Sequence, residues 1–182
     1  MQDPDQQLIS KAKEGNQDGY AKLVKKYYEM VFTVAYGVLN RREDAQDAAQ
    51  EVFLKVFNQI NNFEEKSKFK TWLYRIAVND AIDIARRRKP MEPEEKINTV
   101  AASLPKPDAK VLQDETNEMV RSALDSLSPE HRAILVLREW DDLSYEEIAS
   151  MLNLDLGTVM SRIFYARKSL GKILTPNFGK RS

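Results

Sequence analysis

The chain has 182 residues, no cysteine, one histidine, and 28 basic residues balanced by 28 acidic ones. That composition excludes a disulfide framework, a cysteine zinc site and cysteine nucleophilic chemistry. No run approaches the ~20 apolar residues of a membrane span, and the acidic start Met1 to Asp5 lacks the parts of a signal peptide, so a soluble, cytoplasmic protein without membrane insertion is expected.

Helical periodicity runs through residues 1–89. A short helix is expected from Gln6 to Glu14, stopped by Gly15 as its C-cap. Tyr20, Leu23, Val24, Tyr27, Val31, Val34, Ala35 and Val38 then recur at three and four, predicting an amphipathic helix over 17–39. After Asn40 to Asp44, the series Ala45, Ala48, Ala49, Val52, Phe53, Val56, Phe57 and Ile60 predicts a third. A fourth runs from Lys70 to Arg88, with Leu73, Ile76, Ala77 and Ile84 on its inner side. With no alternating β-branched run and no hairpin signal, the fold class is all-α.

The segment from 90 to 114 breaks this pattern. Pro90, Pro93, Pro105 and Pro107 fall within it among Glu92, Glu94 and Glu95, without an apolar period, which predicts an extended acidic linker between two small helical domains, 1–89 and 115–182. In the second domain Ser144 and Glu147 are spaced as a capping box, and Ile148, Ala149, Met151 and Leu152 lie on neighbouring helical rows before Asn153, a left-handed stop. Asp155 opens a second helix whose Val159, Ile163, Ala166 and Leu170 form one inner stripe. Its other face carries Thr158, Ser161, Arg162, Tyr165 and Lys168, with Phe164 and Arg167 at the margins. This is the layout of a helix-turn-helix reading DNA, and equally of a helical hairpin with a solvated cationic face. His131 is expected at the surface near a helix start.

The zero net charge is unevenly spread. Lys66 to Lys89 carries net +6, Pro90 to Glu130 net −5, and Gly157 to Ser182 net +6 with no acid. Two cationic patches suit two contacts with a polyanion. On the third helix Asp44, Asp47, Gln50 and Glu51 form an acidic stripe, a solvated face or a dock for a basic partner. On the fourth, Trp72, Arg75, Asn79, Asp83 and Arg86 share one side, preceded by Lys66, Lys68 and Lys70. An aromatic, a guanidinium and an amide beside lysines suit single-stranded nucleic acid, although Trp72 suits a core as well. A DNA-binding repressor or activator would explain the helix-turn-helix and the charges, but not the Trp72 face or the acidic stripe. No phosphate-binding glycine loop, metal-ligand cluster or nucleophile paired with a base is present, so neither an enzyme nor a metal or cofactor is expected.

The segments Asp44 to Phe57 (DAQDAAQEVFLKVF), Phe69 to Asn79 (FKTWLYRIAVN), Leu124 to Arg132 (LDSLSPEHR), Leu143 to Ala149 (LSYEEIA) and Gly157 to Arg162 (GTVMSR) resemble, in this order, the bacterial extracytoplasmic-function sigma factors. The resemblance spans almost the whole chain. It implies a transcription initiation factor of two regions. Ala48 to Asn61, with Leu54 and Lys55 in it and the stripe starting at Asp44, would bind the clamp of core RNA polymerase. Asn62 to Lys70 and the helix after it would take the unpaired strand of the minus-ten element, with Asn79 beside a pocket for a flipped base. Gly157 to Leu170 would read the minus-thirty-five element, with Ser161, Arg162, Phe164 and Arg167 at family contact positions. Met160 and Tyr165 stand where many relatives carry a basic residue. The linker would thread the polymerase's channels. Stress-response control by an anti-sigma factor, often membrane-linked, is a further implication.

Overall fold

The computed structural model describes residues 4–88 and 122–178, and the expected linker at 90–114 lies outside them. All regular structure among the described residues is helical. The helices whose bounds fall among the described residues are, in order, α1 (Gln6–Lys13), α2 (Gln17–Leu39), α3 (Arg42–Gln59), α4 (Phe69–Arg88), α5 (Pro129–Glu139), α6 (Tyr145–Leu152) and α7 (Leu156–Phe178), with a 3₁₀ turn, Ile60–Asn62, after α3; residues 122–125 are helical as well. The chain divides into two compact units, one through Asp83 and one from Ile84 on.

In the first unit the helix ends follow from local chemistry. Gly15 has φ +80°, and the amides of Gly15 and Asn16 reach back to the carbonyls of Ala12 (3.0 Å) and Lys11 (2.9 Å), the two bonds of a Schellman stop. Asn16 then caps α2 by accepting from the Gly19 amide at 2.8 Å. Gly19 is required by packing: a Cβ there would stand 2.7 Å from Lys11 Cβ, so α1 and α2 could not approach as they do. Asn40, left-handed at φ 56°, closes α2. Helix α3 starts at Arg42, ahead of the expected apolar series, because Glu43 and Asp44 occupy its first turn, where acids favour the positive end of a helix.

The core of this unit joins Leu23, Val31, Val34 and Val38 of α2 to Ala45, Ala48, Ala49, Val52 and Val56 of α3 and to Phe69, Leu73, Ala77 and Val78 of α4, all buried. Three alanines let α3 lie close on α2. Two expectations are corrected here. Phe57, read in the apolar series, is 51 % exposed and stands edge to face with the Tyr20 ring, centroids 5.1 Å apart. Ile76 and Ile84 are half-buried, since α4 presents a narrower covered stripe than the periodicity implies.

Polar pins fasten the ends of the unit. Asp5, 2 % exposed, accepts from the Tyr27 hydroxyl and the Lys26 ammonium. The segment between the 3₁₀ turn and α4 turns back through Glu65, at φ 61°. Lys13 donates to the Phe63 carbonyl and to Glu65 Oε1, each at 2.9 Å, and Gln6 Nε2 donates to Glu65 Oε2 at 2.8 Å. The Lys13 ammonium also lies 5.6 Å from the centre of the Phe63 ring. One helix, α1, therefore holds the segment leading into α4.

In the second unit Ser128 caps α5, with Pro129 at its first position and the His131 ring nitrogen 2.9 Å from the Ser128 hydroxyl. The capping box forms as read: the Glu147 amide donates to Ser144 Oγ at 3.1 Å, and the Ser144 amide to Glu147 Oε2 at 2.8 Å. Asn153, at φ 54°, ends α6. Asp155 opens α7 by accepting from the Thr158 amide at 2.7 Å and from its hydroxyl. The Thr158 hydroxyl, and then its amide, hold the Asp155 carboxyl below the ordinary range. Val159, Ile163, Ala166 and Leu170 are all buried; Ala166 and Leu170 lie against Leu124, Leu127 and Leu135. Arg132, buried, pairs with Asp125 at 3.3 Å, and burial lowers its guanidinium pKa.

Two outcomes test the pins. Tyr27→Phe removes one donor from a buried carboxylate and should lower stability by about 1.5–3 kcal/mol in urea melts, with little loss of helicity. Lys13, then Gln6, holds the Glu65 carboxyl below the ordinary carboxylate range. A depressed carboxyl contributes its stabilisation above its unfolded pKa and loses it as pH falls through the folded one. After correction for the pH dependence of intrinsic amide exchange, protection at 63–68 should therefore fall on acidification in the native protein, whereas Lys13→Ala should show low protection throughout and respond little to that change.

Candidate nucleic-acid interfaces

Three surfaces emerge from the packing. On α3 the side chains of Asp47, Gln50, Glu51 and Leu54 are exposed, and Asp44 is half-buried. Lys55 is turned away from this stripe into an ion pair with Asp80 of α4, whose other oxygen, Oδ2, is buried without a hydrogen bond. Leu54, 65 % exposed, and Phe57 add an apolar edge to the acidic face. Beside Phe57, a shallow groove on α2 is lined by Tyr20, Val24 and Tyr28, with Lys25 and Glu29 at its margin. The Tyr20 hydroxyl donates to the Phe53 carbonyl, and burial pushes its phenol up to about 12. The sequence reading missed this groove because Tyr20 and Val24 keep the core period, yet they sit at the margin of the covered stripe.

The second surface is the α4 face. Phe63, Phe69 and Trp72 form a ring cluster with centroids 5.2–5.8 Å apart, Phe63 and Phe69 edge to face. Phe63 and Phe69 are buried and Trp72 half-buried, so Trp72 is both packed and presented. Arg75 and Asn79 follow it at three and seven residues, both exposed. Lys66 is paired with Glu64, Lys70 lies 5.6 Å from the Tyr74 ring centre, and Arg86 is exposed in the last turn. Trp72, Arg75 and Asn79 are thus brought together on one line, with Lys66 on the anchored segment before it.

The third surface is the outer face of α7. Met160, Ser161, Phe164 and Tyr165 are exposed, and Thr158 and Arg162 half-buried. Two expected members of this face are placed differently. Lys168 is buried, with its ammonium 5.4 Å from the Phe164 ring centre and 5.9 Å from that of Tyr165. Arg167 donates to Glu139 of α5, Nε at 3.1 Å, and this partner raises its pKa. Helical period assigned both to an open face; Arg167 reaches a partner on another helix that the period does not encode, whereas Lys168 folds back on Phe164 and Tyr165, four and three residues before it on the same helix. Among the described residues there is no cluster able to hold a metal ion, and no helix is long and apolar enough to cross a membrane.

Comparison with known proteins places the chain in a family. Residues 23–90 match sigma-70 region 2, and residues 117–170 match sigma-70 region 4. The chain is 35 % identical to the RNA polymerase sigma-H factor of Pseudomonas aeruginosa over 96 % of both chains. It is 33 % identical to the ECF RNA polymerase sigma factor SigW of Bacillus subtilis over 91 % of this chain and 94 % of that one. Among solved structures it resembles CnrH, in complex with the cytosolic domain of CnrY, with TM-score 0.70 and 25 % identity over 96 % of this chain and 99 % of that one. The chain belongs to the extracytoplasmic-function sigma factors, the factors that bind core RNA polymerase, direct it to promoters and promote DNA melting at the start of transcription.

Proposed function

We propose that this sigma factor divides its work between a domain of residues 1–89 and a domain of residues 115–182, joined by the acidic segment at 90–114. The observation that carries this reading is the α4 face. Trp72, Arg75 and Asn79 stand in one line beside an aromatic cluster, on a helix entered through a segment pinned by α1. A half-buried ring next to an exposed guanidinium and amide suits an unpaired base, which stacks on one and hydrogen-bonds to the others.

In this reading Asp44, Asp47, Gln50, Glu51 and Leu54 of α3 meet the polymerase clamp, with Lys55 held by Asp80 and shaping the edge of that contact. Lys66, Lys70, Trp72, Arg75, Asn79 and Arg86 take the downstream element. Thr158, Met160, Ser161, Arg162, Phe164, Tyr165, Arg167 and Lys168 form or brace the surface for the upstream element, with Arg167 and Lys168 acting through their neighbours. The chemistry of synthesis stays with the polymerase. The factor works in the cytoplasm, in a stress response, and is held inactive by an anti-sigma factor. The complex of CnrH with a cytosolic domain of CnrY supports such a partner.

Run-off transcription with core polymerase tests the whole reading, since a repressor or activator alone would not confer promoter-specific initiation. The Asp47→Lys, Glu51→Lys double variant should lose co-purification with core polymerase while keeping its helicity by circular dichroism. Asn79→Ala should slow open-complex formation by about tenfold, the worth of ~1.4 kcal/mol at one base contact, and leave closed-complex binding intact. Permanganate footprints and rates like those of the parent would remove Asn79 from the pocket.

A further inference from the structure

Six large apolar side chains stand exposed among the described residues, and four of them are on α7: Leu156 (41 %), Met160 (52 %), Phe164 (49 %) and Tyr165 (46 %). Leu156, Met160 and Phe164 recur every fourth residue, so they form one row along the helix. The core of the unit is already served by a different stripe, Val159, Ile163, Ala166 and Leu170, all buried. A helix packed on one side needs only one apolar stripe. The second row faces outward, and its neighbour Tyr165 stands edge to face with Phe164, ring centres 5.5 Å apart. Lys168 braces both rings from beneath.

The polar groups of the same face are largely engaged within the protein. Thr158 donates its hydroxyl to Asp155, Ser161 donates its own to the Thr158 carbonyl at 3.0 Å, Arg167 is tied to Glu139, and Lys168 is buried. Arg162 remains as a long donor at the margin. The reading face of this helix is therefore mainly apolar. Its surroundings nonetheless call for an anionic occupant, because no acid occurs from Gly157 onward and Arg162 and Lys172 lie on this helix outside the engagements just named. An anion with apolar points of contact on its surface is duplex DNA, whose major groove displays one apolar group that distinguishes a base: the C5-methyl of thymine.

We infer that α7 selects its upstream element through thymine methyl groups, with Met160 and Phe164 as the contacting pair and Tyr165 as the flanking ring. The inference rests on the reading that α7 enters the major groove. Leu156 extends the row toward the turn. Hydrogen bonding supplies the smaller part of the base discrimination, from Arg162.

The test uses the full-length protein bound to core polymerase. An upstream element is first selected from promoter DNA randomised over that region, and its duplex is then made with deoxyuridine in place of each thymine in turn. Uracil keeps the hydrogen-bonding edge and lacks only the methyl. The selected element should contain thymine, and at one or more positions uracil should weaken binding about three- to fivefold, as losing one buried methyl-sized contact does. Met160→Ala or Phe164→Ala, both at exposed positions, should abolish that difference, and Met160→Arg should shift the selected base toward guanine. An element without thymine, uracil tolerated at every position, or a uracil effect that survives both alanine variants would overturn the methyl assignment while leaving promoter binding standing. If the holoenzyme shows no preference for any upstream sequence over scrambled DNA, α7 is not a promoter reader and the inference falls with that reading.

Discussion

The packing of α3 on α2, with Ala45, Ala48 and Ala49 buried on the covered side of α3, is the contact on which the first unit depends. Alanine side chains bring two helix backbones close, and they leave α3 no freedom to rotate without driving Val52 or Val56 into water. The covered side of α3 is thereby settled, and so is the exposed one. Asp47, Gln50, Glu51 and Leu54 reach solvent because the alanines cannot. Phe57 is carried to the edge of the same seam, where it meets Tyr20 and becomes surface. An outward face that combines acid with an unburied Leu and Phe is suited to a partner that brings both cations and an apolar groove.

Charge in this protein is spent mostly on geometry. The run from Lys66 to Lys89 has net +6 and α7 with its continuation another +6, yet several of the cations in or near these runs are paired. Lys66 meets Glu64, Arg167 meets Glu139, and Lys168 lies over two rings. Lys13, on α1, fixes the turn before α4 through the Phe63 carbonyl and Glu65. Exposed pairs such as Lys66 with Glu64 add little to stability, about 0–1 kcal/mol each. Their effect is on position and on the electrostatic reach of each patch, which is weaker than the sequence count implies.

Most of the fold was legible because its signals are local. The period of three and four, the Gly15 stop, the Asn40 and Asn153 left-handed ends and the Ser144 to Glu147 box all act within a turn or two of the residue concerned. The α7 core stripe was legible for the same reason. What escaped the sequence depends on contacts between helices. Nothing near Arg167 or Lys55 announces Glu139 or Asp80 as a partner, and a long side chain leaves its assigned face at little cost; Lys168 differs, since it meets Phe164 and Tyr165 at the i−4 and i−3 spacing of its own helix, a contact the sequence does carry. Phe57 escaped differently: it stands in the apolar series between the buried Val56 and Ile60, but at the edge of the seam, where it meets Tyr20 and stays half in water. The α4 line of Trp72, Arg75 and Asn79 was readable as spacing, whereas the ring cluster behind it, and the clamp from α1, required the chain to fold.

An upstream reader built mainly from apolar contacts has a consequence for how affinity is shared. Phosphate neutralisation supplies most sequence-independent affinity for DNA, and methyl contacts supply discrimination with little of it. A helix with engaged cations and an exposed apolar row would bind weakly alone while still distinguishing sequences. Weak binding suffices when a second contact is made by the same chain, since the first converts the other into an intramolecular event with an effective concentration set by the connection between them. In the proposed division of work the region 2 surface would supply that second contact, both to polymerase and to unpaired bases. Selectivity and affinity then reside in different halves of the chain. On that arrangement the α7 face would change its preferred bases by single substitutions at Met160 or Phe164 without altering what holds the factor to the polymerase.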